Sequence, residues 1–178
     1  MIPEKPYAPK GPYMLQSGIY KGKSLEQLPF LPGFKIRGIY RSGYDYLVWV
    51  IENHRDPELV KHAKLVKMAC DEKKPVVSCQ CGQHRALYEW VSTNESGSTI
   101  SFSESARYGE ECKYVADIVD AKLIELNFRS IASFRSGERE RFINLLKYCL
   151  LGRWDVKITA KLAFNYLFGE VQLGLFKT

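Results

Sequence analysis

The chain has 178 residues, of which 46% are hydrophobic, enough apolar surface for one folded domain and too much for intrinsic disorder. No apolar run approaches the roughly 18 residues of a membrane span, the opening Met-Ile-Pro-Glu-Lys-Pro does not read as a signal peptide, and no repeat period is present. Twenty-six Lys+Arg against 20 Asp+Glu give a net charge of +6, a balance that suits a polyanionic partner but serves solubility equally well.

Pro3, Pro6, Pro9 and Pro12 recur every third position and predict an extended, polyproline-like lead-in over residues 1–12. Residues 13–28 read as a strand, a glycine turn in which Gly18 and Gly22 bracket Ile19-Tyr20-Lys21, and a short helical turn capped by Ser24 and stopped by Pro29. Residues 29–43, with two prolines and three glycines, predict a loop carrying a short strand at 34–40. Tyr46, Leu47, Trp49, Val50 and Ile51 have helical spacing within 44–54. Asp56-Pro57-Glu58 opens a second helix, with Asp at the N-cap and Pro at the first position. That helix runs to about residue 71, with Leu59, Ala63, Val66 and Cys70 facing inward and Lys61, Lys64 and Lys67 outward.

Beyond Pro75 three short strands are expected at 76–78, 86–92 and 99–103, the last two joined by an Asn/Ser/Gly-rich turn. A helix is expected over 109–126, an irregular stretch over 127–137 with a strand at 128–131, and a strong helix over 137–151. In that helix Phe142, Leu145, Leu146 and Cys149 share a face, with Arg139, Arg141 and Lys147 elsewhere on it. A last helix over 156–168 ends at Gly169, and residues 171–176 read as an edge strand or as a tail packed on the core. The fold class is α+β: an N-terminal β-hairpin with two helices, a small antiparallel β region and a mainly helical C-terminal half. A soft joint at Lys73-Lys74-Pro75 separates a module at 13–74 from 75–178, either as two units or as one compact body.

Seven basic and two acidic residues fall within residues 1–41, leaving the other 137 nearly neutral. Lys21, Lys23, Lys35, Arg37 and Arg41 stand among Tyr20, Tyr40 and other rings there, the mixture a nucleic acid requires: cations for phosphates, rings for bases. The stripe Lys61, Lys64 and Lys67 extends this field if it shares a side with it; otherwise it is a solvated face.

Gly18-Ile19-Tyr20-Lys21-Gly22-Lys23-Ser24 ends like a phosphate-binding loop, but Ser17 stands where that motif needs its first glycine, and Pro29 truncates the helix it needs. The same residues, followed by Tyr44-Asp45-Tyr46-Leu47-Val48-Trp49, resemble the small C-terminal module of exodeoxyribonuclease X-like proteins, which shows a Gly-x-Tyr/His-Lys-Gly-Lys hairpin and then a Tyr-Leu-x-Trp helix. The resemblance spans about residues 13–54 and implies a role in nucleic-acid metabolism rather than catalysis.

Five cysteines, an odd number without a secretory signal, argue against a disulfide framework and for a reducing, cytoplasmic setting. Cys79 and Cys81 follow a predicted strand, His84 lies just beyond, and Cys112 returns after a predicted hairpin. That order suits a degenerate zinc ribbon with these four as ligands, or else buried thiols without metal. Cys70 and Cys149 fall on apolar helix faces and read as core. His54 and His62, beside lysines, read as solvated. Asp56 and Glu58 are explained by capping, and no set of residues converges on a reaction. The expectation is a non-catalytic nucleic-acid-binding accessory protein of a DNA repair, phage or mobile-element system. Its alternative is a protein–protein adaptor or inhibitor docking on a nucleoprotein complex.

Overall fold

The computed structural model describes residues 9–31, 33–72, 88–94, 97–103, 122–125, 127–132, 136–153 and 155–169. The architecture is α+β. Residues 13–25 close on themselves as a narrow loop. Leu25 N donates to the Tyr13 carbonyl (2.9 Å), Leu15 N to the Lys23 carbonyl (2.8 Å) and Gly22 N to the Leu15 carbonyl (2.9 Å). Its turn needs positive φ at Gly18 (81°) and Gly22 (79°), backbone that only glycine adopts without cost. Residues 19–21 form the expected turn, while the strand expected before them is a single bridge, Met14↔Ser24.

A 3₁₀ helix, Leu25–Phe30, follows and is buried along its whole length. Gln27 holds its start and ties it to the C-terminal half: its Oε1 accepts from Ser24 N (2.9 Å) and its Nε2 donates to the Ile158 carbonyl (2.8 Å). Instead of one strand over 34–40 there are two, β1 (Phe34–Ile36) and β2 (Ile39–Arg41), paired Phe34↔Arg41, Lys35↔Tyr40 and Ile36↔Ile39 around Arg37-Gly38. Both turn residues have positive φ, 50° and 79°, the geometry that matches the twist of a two-residue hairpin.

Helix α1 (Gly43–Asn53) starts at Ser42, whose Oγ accepts from Asp45 N (2.9 Å) while the Asp45 carboxylate accepts from Ser42 N (2.6 Å). This reciprocal cap satisfies two donors that the helix start leaves open. Gly43 cannot be enlarged, because a Cβ there would lie 1.9 Å from the Leu28 carbonyl oxygen. Helix α2 (Pro57–Glu72) opens as expected, with Asp56 Oδ1 accepting from Glu58 N (3.0 Å) and Leu59 N (3.3 Å).

Strands β3 (Tyr88–Asn94), β4 (Gly97–Ser103) and β5 (Lys122–Glu125) form an antiparallel sheet in the order β4-β3-β5. The helix expected over 109–126 is therefore corrected at its end: residues 122–125 pair with Tyr88–Val91, a long-range partner overriding local propensity. The rest of that expectation, the strand at 76–78 and the tail strand lie outside the described residues. So do residues 1–8 of the lead-in. The strand expected at 128–131 is corrected as well. Phe128–Ala132 is helix α3, whose Phe128 and Ile131, three apart and both buried, share one face. Helix α4 spans Ser136–Leu151. Helix α5 spans Ala160–Phe168, four residues shorter at its start than expected, because Thr159 Oγ1 caps Leu162 N (3.2 Å).

One core joins these parts. Leu25, Leu28 and Phe30 of the 3₁₀ helix pack with Leu47 and Val50 of α1, Ala63 and Val66 of α2, Phe142 and Leu146 of α4, and Ala163 and Tyr166 of α5. At its centre Phe30, Phe128 and Tyr166 meet edge-to-face at centroid distances of 5.3, 5.6 and 6.0 Å, the arrangement favoured by ring quadrupoles. Among the described residues no helix is long and apolar enough to cross a membrane.

Candidate nucleic-acid interface

Strand pleating divides the β1–β2 hairpin into two faces. Phe34, Ile36, Ile39 and Arg41 alternate onto one, Lys35 and Tyr40 onto the other. Helix α1 is apolar on two sides. Tyr44, Leu47 and Val50 enter the core, while Asp45, Val48, Trp49 and Glu52 form a second stripe at i, i+3, i+4 and i+7. This second stripe, the Phe34/Ile36/Arg41 face and the Gly18-Ile19 turn enclose a groove of about 560 Å³.

Tyr46 lines the groove and holds its other rings in place. Its ring meets Tyr20 edge-on at 5.1 Å and stacks on Trp49 at 5.4 Å, with Phe34 at 6.2 Å. Gly18 passes so close that a Cβ would sit 2.4 Å from the Tyr46 hydroxyl. The outermost ring is Trp49, 48% exposed, bordered by exposed Ile19, Ile36 and Ile39. Arg41 is the lining cation; Asp45 and Glu52 are the lining acids, with Asp45 tied into the α1 cap.

Of the residues singled out in the sequence, Arg41 lines this groove and the others stand elsewhere. Lys21 and Lys23 are exposed on the turn that carries Ile19, and Lys35, Arg37 and Arg41 are exposed on the hairpin. Tyr20 is not an open stacking ring: it is half-buried between Phe34 (5.7 Å) and Tyr46. Burial, the largest influence, pushes its phenol up to about 12. Tyr40 is likewise engaged, its hydroxyl accepting from Gly33 N (3.1 Å) and its ring lying 5.2 Å from the Arg139 guanidinium. Trp49 supplies the exposed aromatic surface assigned from sequence to those two tyrosines. Its signal is its place beside Val48 on a second face of α1, off the face that carries Leu47 and Val50.

Lys61 and Lys64 are exposed on α2, which contributes no residue to the groove. Lys67 is no open phosphate contact. Its ammonium pairs with Asp71 at 2.5 Å and lies 5.9 Å from the Tyr44 ring. The candidate zinc ligands Cys79, Cys81, His84 and Cys112 all lie outside the described residues. Among the described residues no cluster of three or more His, Cys, Asp or Glu is placed to hold a metal. Cys70 is buried, and burial drives its thiol far above its ordinary value, the behaviour of a core residue.

Two polar residues, His62, read as solvated, and Arg139, placed off the apolar face of its helix, belong to the interior instead. His62 (2% exposed) places Nε2 2.6 Å from Oε1 of the fully buried Glu26, whose other oxygen accepts from Tyr13 N at 3.2 Å. Arg139, also 2% exposed, donates through Nη2 to the Ile131 carbonyl at 3.3 Å. His54, by contrast, is exposed as expected.

Comparison with models of protein families, with curated proteins and with solved structures found no match.

Proposed function

We propose that the protein is a non-catalytic nucleic-acid-binding accessory factor that seats an unpaired base in the α1–hairpin groove while surrounding cations hold the backbone. The observation that carries this reading is the exposed indole of Trp49 in a groove lined by Arg41, with Lys21, Lys23 and Arg37 exposed on the two turns of the elements that form it. The groove is the wrong place for a phosphate, because Asp45 and Glu52 would repel it. It suits a base, whose ring stacks and whose amino groups donate to carboxylates. Phosphates then ride outside, on the hairpin tip and the 18–23 turn. The resemblance of residues 18–24 and 44–49 to the exodeoxyribonuclease X-like module, which implies a role in nucleic-acid metabolism, agrees with this reading.

The test is fluorescence anisotropy with labelled single-stranded DNA and RNA over a salt series. Trp49→Ala is expected to weaken binding by about 1–3 kcal/mol, the value of one base–aromatic stack. Lys21→Glu with Lys23→Glu is expected to flatten the slope of log K against log salt by about 1.4, from roughly 0.7 per phosphate contact. Unchanged affinity in both variants rejects the proposal.

A second reading, the protein–protein adaptor or inhibitor, rests on the apolar border formed by Ile19, Ile36 and Ile39. Recovery of one protein partner after nuclease treatment, lost on Ile36→Asp, favours it over nucleic acid.

A further inference from the structure

We infer that a second pocket, on the opposite face of the same hairpin, is a binding site for a phosphomonoester. It encloses about 240 Å³ between Phe30 and Gly33, Tyr40 of β2, and Arg139, Glu140, Ile143, Asn144 and Lys147 of α4. It shares no lining residue with the Trp49 groove, so the two proposals stand or fall separately.

The donor set is built for an anion. Arg139 and Lys147 lie eight residues apart on α4, two turns along one face, and both line the pocket. Among the described residues the Lys147 ammonium has one partner, Asn144 Oδ1 at 3.5 Å, and no carboxylate. The Tyr40 oxygen accepts from Gly33 N (3.1 Å), which leaves its own O–H to donate. Glu140, exposed, is the one carboxylate in the lining.

Burial holds the Arg139 guanidinium below its ordinary value, with Tyr40, Asp45 and Tyr20 offsetting only part of that effect. An entering anion restores what burial removed. A planar guanidinium from one side and an ammonium from another suit the several oxygens and double charge of a phosphate better than a single carboxylate. The volume corresponds to about eight water molecules at about 30 Å³ each, more than a bare oxyanion fills. The Phe30, Tyr40 and Ile143 side chains give the excess an apolar wall. The ligand is therefore a phosphate carrying an organic group: a free nucleoside monophosphate or the phosphorylated end of a strand.

Calorimetry of the whole protein with thymidine 5′-monophosphate, inorganic phosphate and thymidine, at constant ionic strength, tests this. Saturable binding of the monophosphate is expected, at least tenfold tighter than inorganic phosphate, with none for thymidine. Lys147→Gln, at a half-buried position, is expected to weaken it at least tenfold. Arg139→Lys, which keeps the charge but loses the planar fork, is expected to do the same with an unchanged near-ultraviolet circular dichroism spectrum. A tenfold preference for a 5′-phosphorylated over a 5′-hydroxyl oligonucleotide assigns the pocket to a strand end; equal affinities assign it to the free nucleotide. Absence of saturable monophosphate binding, or binding indifferent to Lys147→Gln, overturns the site. Equal affinity for inorganic phosphate overturns the monoester.

Discussion

His62 and Glu26 are 36 positions apart in the chain and 2.6 Å apart in the fold, each almost wholly removed from water. Truncating one leaves the other's polar group buried without its partner, a loss of about 3–5 kcal/mol when the pair is ionic. Glu26→Ala is expected to cost somewhat more than His62→Ala, because it also strands the Tyr13 amide. The double variant should cost clearly less than the sum, since each single change already removes the shared interaction. Urea unfolding of the four proteins measures this, and simple additivity would show that the pair is not coupled. Half of this arrangement was legible in sequence. His62 falls three residues after Leu59 and four before Val66, on the apolar stripe of α2, and Arg139 lies three before Phe142 and seven before Leu146, on the apolar stripe of α4. A polar residue on such a stripe is a buried one, whatever lysines flank it. What no local pattern carries is the identity of the partner. Glu26 sits on a one-turn element that reads as surface until the helices close over it.

At the scale of elements, local chemistry and long-range pairing divide the outcome. Capped segments were readable: Asp56-Pro57-Glu58 opens α2 where the sequence places it, and α1 matches within a residue. Segments whose state depends on a distant partner were not, so residues 122–125 are a strand through β3, and the turn inside the 34–41 hairpin passed unnoticed. That turn carries an Arg where Asn or Gly is the usual choice. Arg37 has a φ of 50°, and an L-residue in this region costs roughly 1–2 kcal/mol, a cost that asparagine largely avoids. Arg37→Asn is therefore expected to stabilise the protein by about 0.5–1 kcal/mol, visible as a raised Tm. The same change removes a cation from the hairpin tip, so nucleic-acid affinity should fall while stability rises. Strain retained at a charged tip is what a functional residue leaves behind. A gain in stability with no loss of affinity would separate Arg37 from the interface.

For the whole molecule, the joint expected at Lys73-Lys74-Pro75 from charge and composition lies outside the described residues, and the described core draws on residues from both sides of it. Phe30 meets Phe128 and Tyr166, Gln27 donates to the Ile158 carbonyl, and His62 faces Phe168 at 6.5 Å. The basic N-terminal half thus rests on α3, α4 and α5. Fully burying one large apolar side chain is worth about 1.5–3 kcal/mol, and Leu25, Leu28 and Phe30 all belong to the cluster that the C-terminal helices help to close. Against a net stability of about 5–15 kcal/mol for a domain, losing part of that burial is decisive. A chain ending after residue 72 is therefore expected to lack a cooperative urea transition and to show collapsed amide dispersion, although α2 keeps its own N-cap. The full chain should unfold in one step seen alike by far-ultraviolet circular dichroism and tryptophan fluorescence. A cooperative transition in the short chain would make residues 13–72 an independent module. Its absence ties both candidate sites to one body, since the hairpin that separates the Trp49 groove from the Arg139 pocket is positioned by α1 on one side and faces α4 on the other.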